Sequence, residues 1–213
     1  MTADGSSQAA SIGPRLFTFR HGETLWSLAG RHTGVTDLAL TARGEGQARA
    51  LRPWTDGISF SHVLTSPRLR ALATCELAGL GAQAQVEPDL AEWDYGDYEG
   101  RRSQDIRQER PGWTLFRDGC PKGESPAAIT ARIDRLIARL RTLSGDIALF
   151  SHGQFGAAFG ARWIGLPVLE AQHFELGPAS MSVLGWDHDH PDIPVLALWN
   201  AAPGPSSPTG ASR

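Results

Sequence analysis

Cysteine is scarce in this chain: Cys75 and Cys120 are the two among 213 residues. Two thiols are too few for the disulfide framework of a small secreted domain, and both read as reduced. No apolar run approaches the length that crosses a bilayer. Residues 1–14 have neither a basic patch nor an apolar segment, so they do not read as a signal peptide. The expected location is therefore the cytoplasm, with no membrane partner. A dominant charge is also missing. The formal net charge is −3 and the pI is near 6.1, which argues against nucleic acid or an anionic membrane surface as partner. There is no Gly-x-Ser-x-Gly, so the nucleophile elbow of serine hydrolases is excluded.

What is present is an ordinary globular balance, 41% hydrophobic and 20% charged, in a chain long enough to bury a core without staples. One domain is expected over 14–200, with a disordered lead-in at 1–13 and a disordered Pro/Gly/Ser/Ala tail at 201–213. Apolar runs predict strands at Leu16–Phe19, Phe60–Leu64, Asp146–Phe150, Ser182–Trp186 and Val195–Trp199. Helices are predicted from the Thr41 cap to Leu51, from Pro67 to about Leu80, from Ser125-Pro126 onward, and over Gln154–Ile164. Ile129, Ile133, Ile137 and Leu140 give the third of these its apolar stripe. Residues 92–124 are weakly periodic and aromatic; they read as a long irregular segment with one short helix near Gln104–Arg110. Strands alternating with helices predict an α/β protein with a mostly parallel sheet. Ligands bind such sheets at the carboxyl ends of the strands.

Three predicted strands end there in chemically loaded residues: Arg20-His21-Gly22, Ser66 with Arg70 just beyond, and His152-Gly153. Two strand–His–Gly endings in one parallel sheet would set two imidazoles side by side. Phosphoryl transfer asks for this combination. Imidazole can attack phosphorus, arginine forks match phosphate oxygens, and fixed positive donors stabilise charge in flight. A carboxylic acid must then protonate the leaving alkoxide and activate water. Glu92, in the irregular segment, is the candidate.

These blocks resemble the histidine phosphatase superfamily, also called phosphoglycerate-mutase-like. The likeness spans about residues 15–200. It is carried by Arg20-His21-Gly22-Glu23-Thr24-x-Trp26, Leu40-Thr41-x-x-Gly44-x-x-Gln47-Ala48, Thr65-Ser66-Pro67-x-x-Arg70-Ala71-x-x-Thr74, Leu90-x-Glu92-x-x-x-Gly96-x-x-Glu99-Gly100, Gly123-Glu124-Ser125 and Ser151-His152-Gly153. The resemblance implies a three-layer sandwich, a central mostly parallel sheet flanked by helices. It implies that His21 is phosphorylated, that Arg20, Arg70 and His152 hold the phosphoryl oxygens, and that Glu92 is general acid and then base. It also implies that no metal or organic cofactor is needed and that the partner is a phosphorylated small molecule; a homo-oligomer is left open. Ser27, where many members carry Asn, is expected at the substrate, as are Thr33, Gly34, Tyr95, Arg102 and Gly153.

Phosphatases are favoured over phosphoglycerate mutases, whose Lys after the Gln-Gly or Glu-Gly pair is here Ser103. The runs His32-Thr33-Gly34-Val35-Thr36-Asp37, Glu92-Trp93-x-Tyr95-Gly96-Asp97-Tyr98-Glu99-Gly100 and Arg117-Asp118-Gly119-Cys120 are similar to the sedoheptulose 1,7-bisphosphatases of the superfamily. On that likeness Arg68, Arg101, Arg102 or Arg117 would hold a distal phosphate. A non-catalytic phospho-ligand binder is the other alternative. It is disfavoured because His21, Arg20, Arg70, Glu92 and His152 are all retained. Asp187-His188-Asp189-His190, before Pro191, reads as a polar turn rather than a metal site. Trp93 and Trp113 are expected to wall the pocket, and Trp163, Trp186 and Trp199 to sit in the core.

Overall fold

The structure, a computed structural model, describes residues 13–203. The segments expected to be disordered, 1–13 and 201–213, lie outside the described residues apart from Gly13 and residues 201–203. In chain order the elements are β1 (Arg15–Arg20), α1 (Leu25–Leu28), α2 (Ala42–Arg49), α3 (Arg52–Thr55), β2 (Phe60–Thr65), α4 (Leu69–Leu77), β3 (Ala84–Val86), α5 (Ser103–Glu109), α6 (Leu115–Asp118), α7 (Pro126–Leu140), β4 (Asp146–Ser151), α8 (Gly153–Trp163), β5 (Met181–Trp186) and β6 (Pro194–Ala201).

The strands form one sheet in the order β3-β2-β4-β1-β5-β6. The first four strands of that order pair in parallel, and β5 and β6 are antiparallel additions. The alternation along each central strand explains the layers. Leu16, Ile147 and Leu149 point to one face, Phe17, Phe19, Ala148 and Phe150 to the other. On the first face they meet α7 and α8, including Ile129, Ile133 and Phe159. On the second they meet Leu51, Cys75, Ala78 and Leu80. The parallel register aligns Arg20 with Ser151, so His21 and His152 emerge together at the same end of the sheet.

Three departures from the sequence reading have physical causes. First, the helix expected from Pro67 starts at Leu69 with Arg68 as its cap residue. The Ser66 hydroxyl is occupied by His152, and Leu69 N–H donates to Asp37 Oδ1 at 2.9 Å, a cap supplied from far along the chain. Second, β3 is three residues of half-exposed edge, too short to leave a pattern. Third, residues 92–124 are irregular as expected, with α5 near the expected short helix, but they also supply core. Trp93, Tyr95, Tyr98, Trp113 and Phe116 are buried and join the core. Arg132 fastens the start of this segment. Its guanidinium pairs with Glu124 at 2.7 Å and donates to the carbonyls of Asp89 and Ala91, on either side of Leu90.

Both thiols are free and buried, Cys75 in one core layer and Cys120 in the other. The Asp187–His190 stretch is a turn. Asp187 Oδ1 accepts from the amides of Asp189 and His190. No helix among the described residues is long and apolar enough to cross a membrane.

Candidate active site

A cavity of about 200 Å³ opens at the carboxyl ends of β1 and β4. Arg20, His21, Ser27, Thr33, Glu92, Tyr95 and Gly153, all singled out from sequence, line it.

His21 is buried, and its backbone N–H donates to Ser151 O, stitching the two strand ends together. Its Nδ1 lies 2.7 Å from the Gly22 carbonyl. A carbonyl only accepts, so the neutral ring carries its proton on Nδ1 and leaves Nε2 with a bare lone pair. Gly22 allows this turn, because a Cβ there would collide with the Gly44 carbonyl. Burial, reinforced by Arg20 and Arg70, holds the His21 imidazole well below its usual range.

His152 stands edge-on to His21, ring centroids 5.3 Å apart. Arg70 Nε donates to His152 Nδ1 at 3.2 Å. A guanidinium only donates, so the proton of neutral His152 is on Nε2, which donates to Ser66 Oγ at 2.7 Å. The two imidazoles therefore hold opposite tautomers.

Arg70 and His152 form the wall behind His21 and are not among the cavity lining residues. The Arg70 guanidinium is clamped by the carbonyls of Thr33, Gly34 and Thr36. That loop is held in turn by the Glu99 carboxylate, which accepts from Gly34 N and Thr36 N. Gly34 is thus a close-approach residue rather than a lining one; a Cβ would strike the Trp93 carbonyl.

The Glu92 carboxyl sits at the N-terminus of α8. Oε1 accepts from Trp93 N at 2.9 Å and Phe155 N at 2.7 Å, and Oε2 from Gln154 N at 3.1 Å. Those donors and Arg70 favour the anion, yet burial outweighs them and raises the carboxyl above the ordinary range. A carboxyl raised in this way, in one cavity with an imidazole nucleophile, keeps its proton to higher pH than an exposed one, as a general acid requires. Arg20 donates to the Leu176 carbonyl, while its buried Nε has no partner among the described residues.

Other expected residues are placed differently. The Ser27 hydroxyl lines the cavity but donates to Thr24 O and accepts from Thr24 N in a capping box, so its proton is already in use. Arg102 is outside the lining, paired twice with Asp105. Trp93 and Trp113 belong to the core and do not line the cavity; Trp113 instead backs His32 edge-on. Arg31, His32, Ser103 and Gln154 line the cavity without having been assigned to it from sequence. His32 begins the His32–Asp37 run, and its stacking on Tyr95, ring centroids 4.5 Å apart, has no signal in the sequence.

Burial lowers the His32 pKa to about 4. His21, His32 and His152 all bind protons less readily than in the unfolded chain. Their contribution to stability is present above pH ~6.5 and lost as pH falls from there towards the folded values. Glu92 acts in the opposite sense, one carboxyl against three imidazoles. Thermal unfolding is expected to show Tm falling between pH 7 and 4.5. His32→Phe, which keeps a ring on Tyr95, is expected to flatten part of that slope. A Tm that rises on acidification would contradict the assignment of buried neutral rings.

A strand-end histidine and a buried carboxyl share one cavity of this α/β fold, a set of groups suited to phosphoryl transfer. The family model of the histidine phosphatase superfamily (branch 1) matches residues 16–201. An acid phosphatase of Mycobacterium tuberculosis is 41% identical over 188 residues, covering 86% of this chain and 92% of the relative. A sedoheptulose 1,7-bisphosphatase of Saccharomyces cerevisiae is 37% identical, covering 74% and 70%. The solved structure of the open reading frame Rv3214 product from M. tuberculosis superposes with a TM-score of 0.83 at 38% identity, covering 89% of this chain and 98% of the other. The chain belongs to the histidine phosphatase superfamily and is a phosphoric monoester hydrolase acting on a phosphorylated metabolite.

Proposed function

We propose that this enzyme hydrolyses a small phosphate monoester, a sugar bisphosphate among the candidates, through a phosphohistidine on His21. The observation that carries the reading is the bare Nε2 of His21 in one cavity with Arg20 and the Glu92 carboxyl. In the first step Nε2 bonds to phosphorus, and the P–O bond to the leaving alkoxide breaks. Glu92 gives that oxygen its proton. In the second step water, losing a proton to Glu92, attacks phosphorus and breaks the P–N bond. Inorganic phosphate and free His21 result. Arg20 at the cavity, backed by Arg70 and His152, offsets charge on the transferring group. The sedoheptulose 1,7-bisphosphatase relative supports a sugar bisphosphate as substrate.

The test is phosphate release from sugar bisphosphates, phosphoglycerates and simple monoesters, with EDTA throughout, together with quenching in alkaline detergent to trap the phosphoenzyme. A base-stable, acid-labile phosphoryl group on His21 is expected. Turnover confined to interconverting phosphoglycerates would replace hydrolysis with mutase chemistry, and absence of any turnover would leave a binding protein.

A further inference from the structure

The arginines expected from sequence at a distal phosphate are engaged elsewhere. Arg101 is paired twice with Glu109, Arg102 with Asp105, and Arg117 with Asp118; Arg68 donates to the Val35 carbonyl. None of the four lines the cavity. One arginine besides Arg20 does, and it is Arg31. Its backbone is pinned by N–H to Trp26 O and by an antiparallel bridge to Arg102. One guanidinium N–H donates to the Gly100 carbonyl at 2.9 Å. Among the described residues no carboxylate pairs with it, in contrast to Arg101, Arg102 and Arg117.

A neutral, hydrogen-bonded pair of polar side chains stands beside Arg31 in the lining. Ser103 Oγ and His32 Nε2 are 3.1 Å apart, and the His32 ring is fixed by its stack on Tyr95. The lining thus carries two guanidinium groups against one carboxyl, Glu92. Arg20 immediately precedes the nucleophile and lines the cavity with it, which suits it to the reacting phosphoryl group. Arg31 has the remaining uncompensated charge, and a planar fork of donors suited to an oxyanion.

We infer that Arg31, with Ser103 and His32, forms a second anion subsite, so that the preferred substrate is a phosphomonoester carrying a further phosphate or carboxylate at its far end. This rests on the phosphatase reading above and narrows it to bis-anionic substrates.

The experiment measures kcat/KM for matched pairs that differ by the distal anion: fructose 1,6-bisphosphate against fructose 1-phosphate, and 3-phosphoglycerate against glycerol 3-phosphate. The wild-type enzyme is expected to prefer the bis-anionic member of at least one pair. Arg31→Gln is expected to shrink that ratio roughly 10- to 100-fold, mainly through KM, and Arg31→Lys to keep part of it. Collapse in the sugar pair alone assigns a phosphate, and collapse in the glycerate pair alone assigns a carboxylate. Thermal unfolding verifies that the variants fold. A wild-type ratio near one in both pairs overturns the subsite. So does a ratio that Arg31→Gln leaves intact, or one that collapses in Arg102→Gln instead. Loss of the underlying phosphatase reading would appear separately, as full turnover of both members in His21→Ala.

Discussion

His21→Ala is expected to lower turnover by about 10⁴-fold or more, the scale seen when other hydrolases lose a nucleophile. The reason is local. Among the other lining residues Arg20 and Arg31 are guanidinium donors, and the one further imidazole, His32, has its Nε2 hydrogen-bonded to Ser103 and its ring stacked on Tyr95. His152 cannot substitute, because its Nδ1 already accepts from Arg70. The variant is expected to fold, since the bond from the residue 21 amide to Ser151 O belongs to the backbone. The measurement is phosphate release from a sugar phosphate and from an aryl phosphate, alongside phosphoenzyme trapping. Turnover within tenfold of wild type on both would remove His21 from the chemistry. The acid limb of the wild-type pH profile should also lie below the usual histidine range, because burial and two arginines keep the ring neutral.

Glu92→Gln is expected to cost about 10²- to 10⁴-fold on an alkyl phosphate and much less on p-nitrophenyl phosphate, whose leaving group needs little protonation. The two substrates separate proton delivery from geometry. An amide at this position keeps one acceptor for Trp93 N and Phe155 N but turns a donor towards Gln154 N. Misplacement from that clash would depress both substrates alike. In the wild type, activity on the alkyl ester is expected to fall as pH rises through the elevated carboxyl value, since the acid must carry its proton to act. The variant should lack this limb. Equal losses on both substrates would reassign Glu92 to positioning.

Much of this architecture was legible in the sequence, for identifiable reasons. The central strands are buried on both faces, so their apolar runs stand out, and the abrupt changes at Arg20-His21 and Ser151-His152 mark where the sheet opens. The stripe of α7 and its Ser125 cap are local signals, and both appear as expected, with Ser125 Oγ accepting from Ala128 N. What escaped depends on partners distant in sequence. The cap on α4 comes from Asp37. The segment 92–124 lacks periodicity because its aromatic residues pack from turns and short helices rather than from one continuous face. Arg102 and Arg31 look alike as letters. Only the third dimension shows one beside Asp105 and the other open to the cavity. Glu99 is one letter of a motif, and its link to Arg70 runs through backbone amides and carbonyls that no side-chain pattern encodes.

The two thiols illustrate what a sheet does to a core. Cys75 belongs to one hydrophobic cluster and Cys120 to the other. Both are free and buried in separate clusters, so joining them would require those clusters to open. Burial holds both thiols up near 12, so neither is reactive in the closed form. Each is a silent reporter for its own layer, and the order in which a thiol reagent finds them records which side of the molecule opens first.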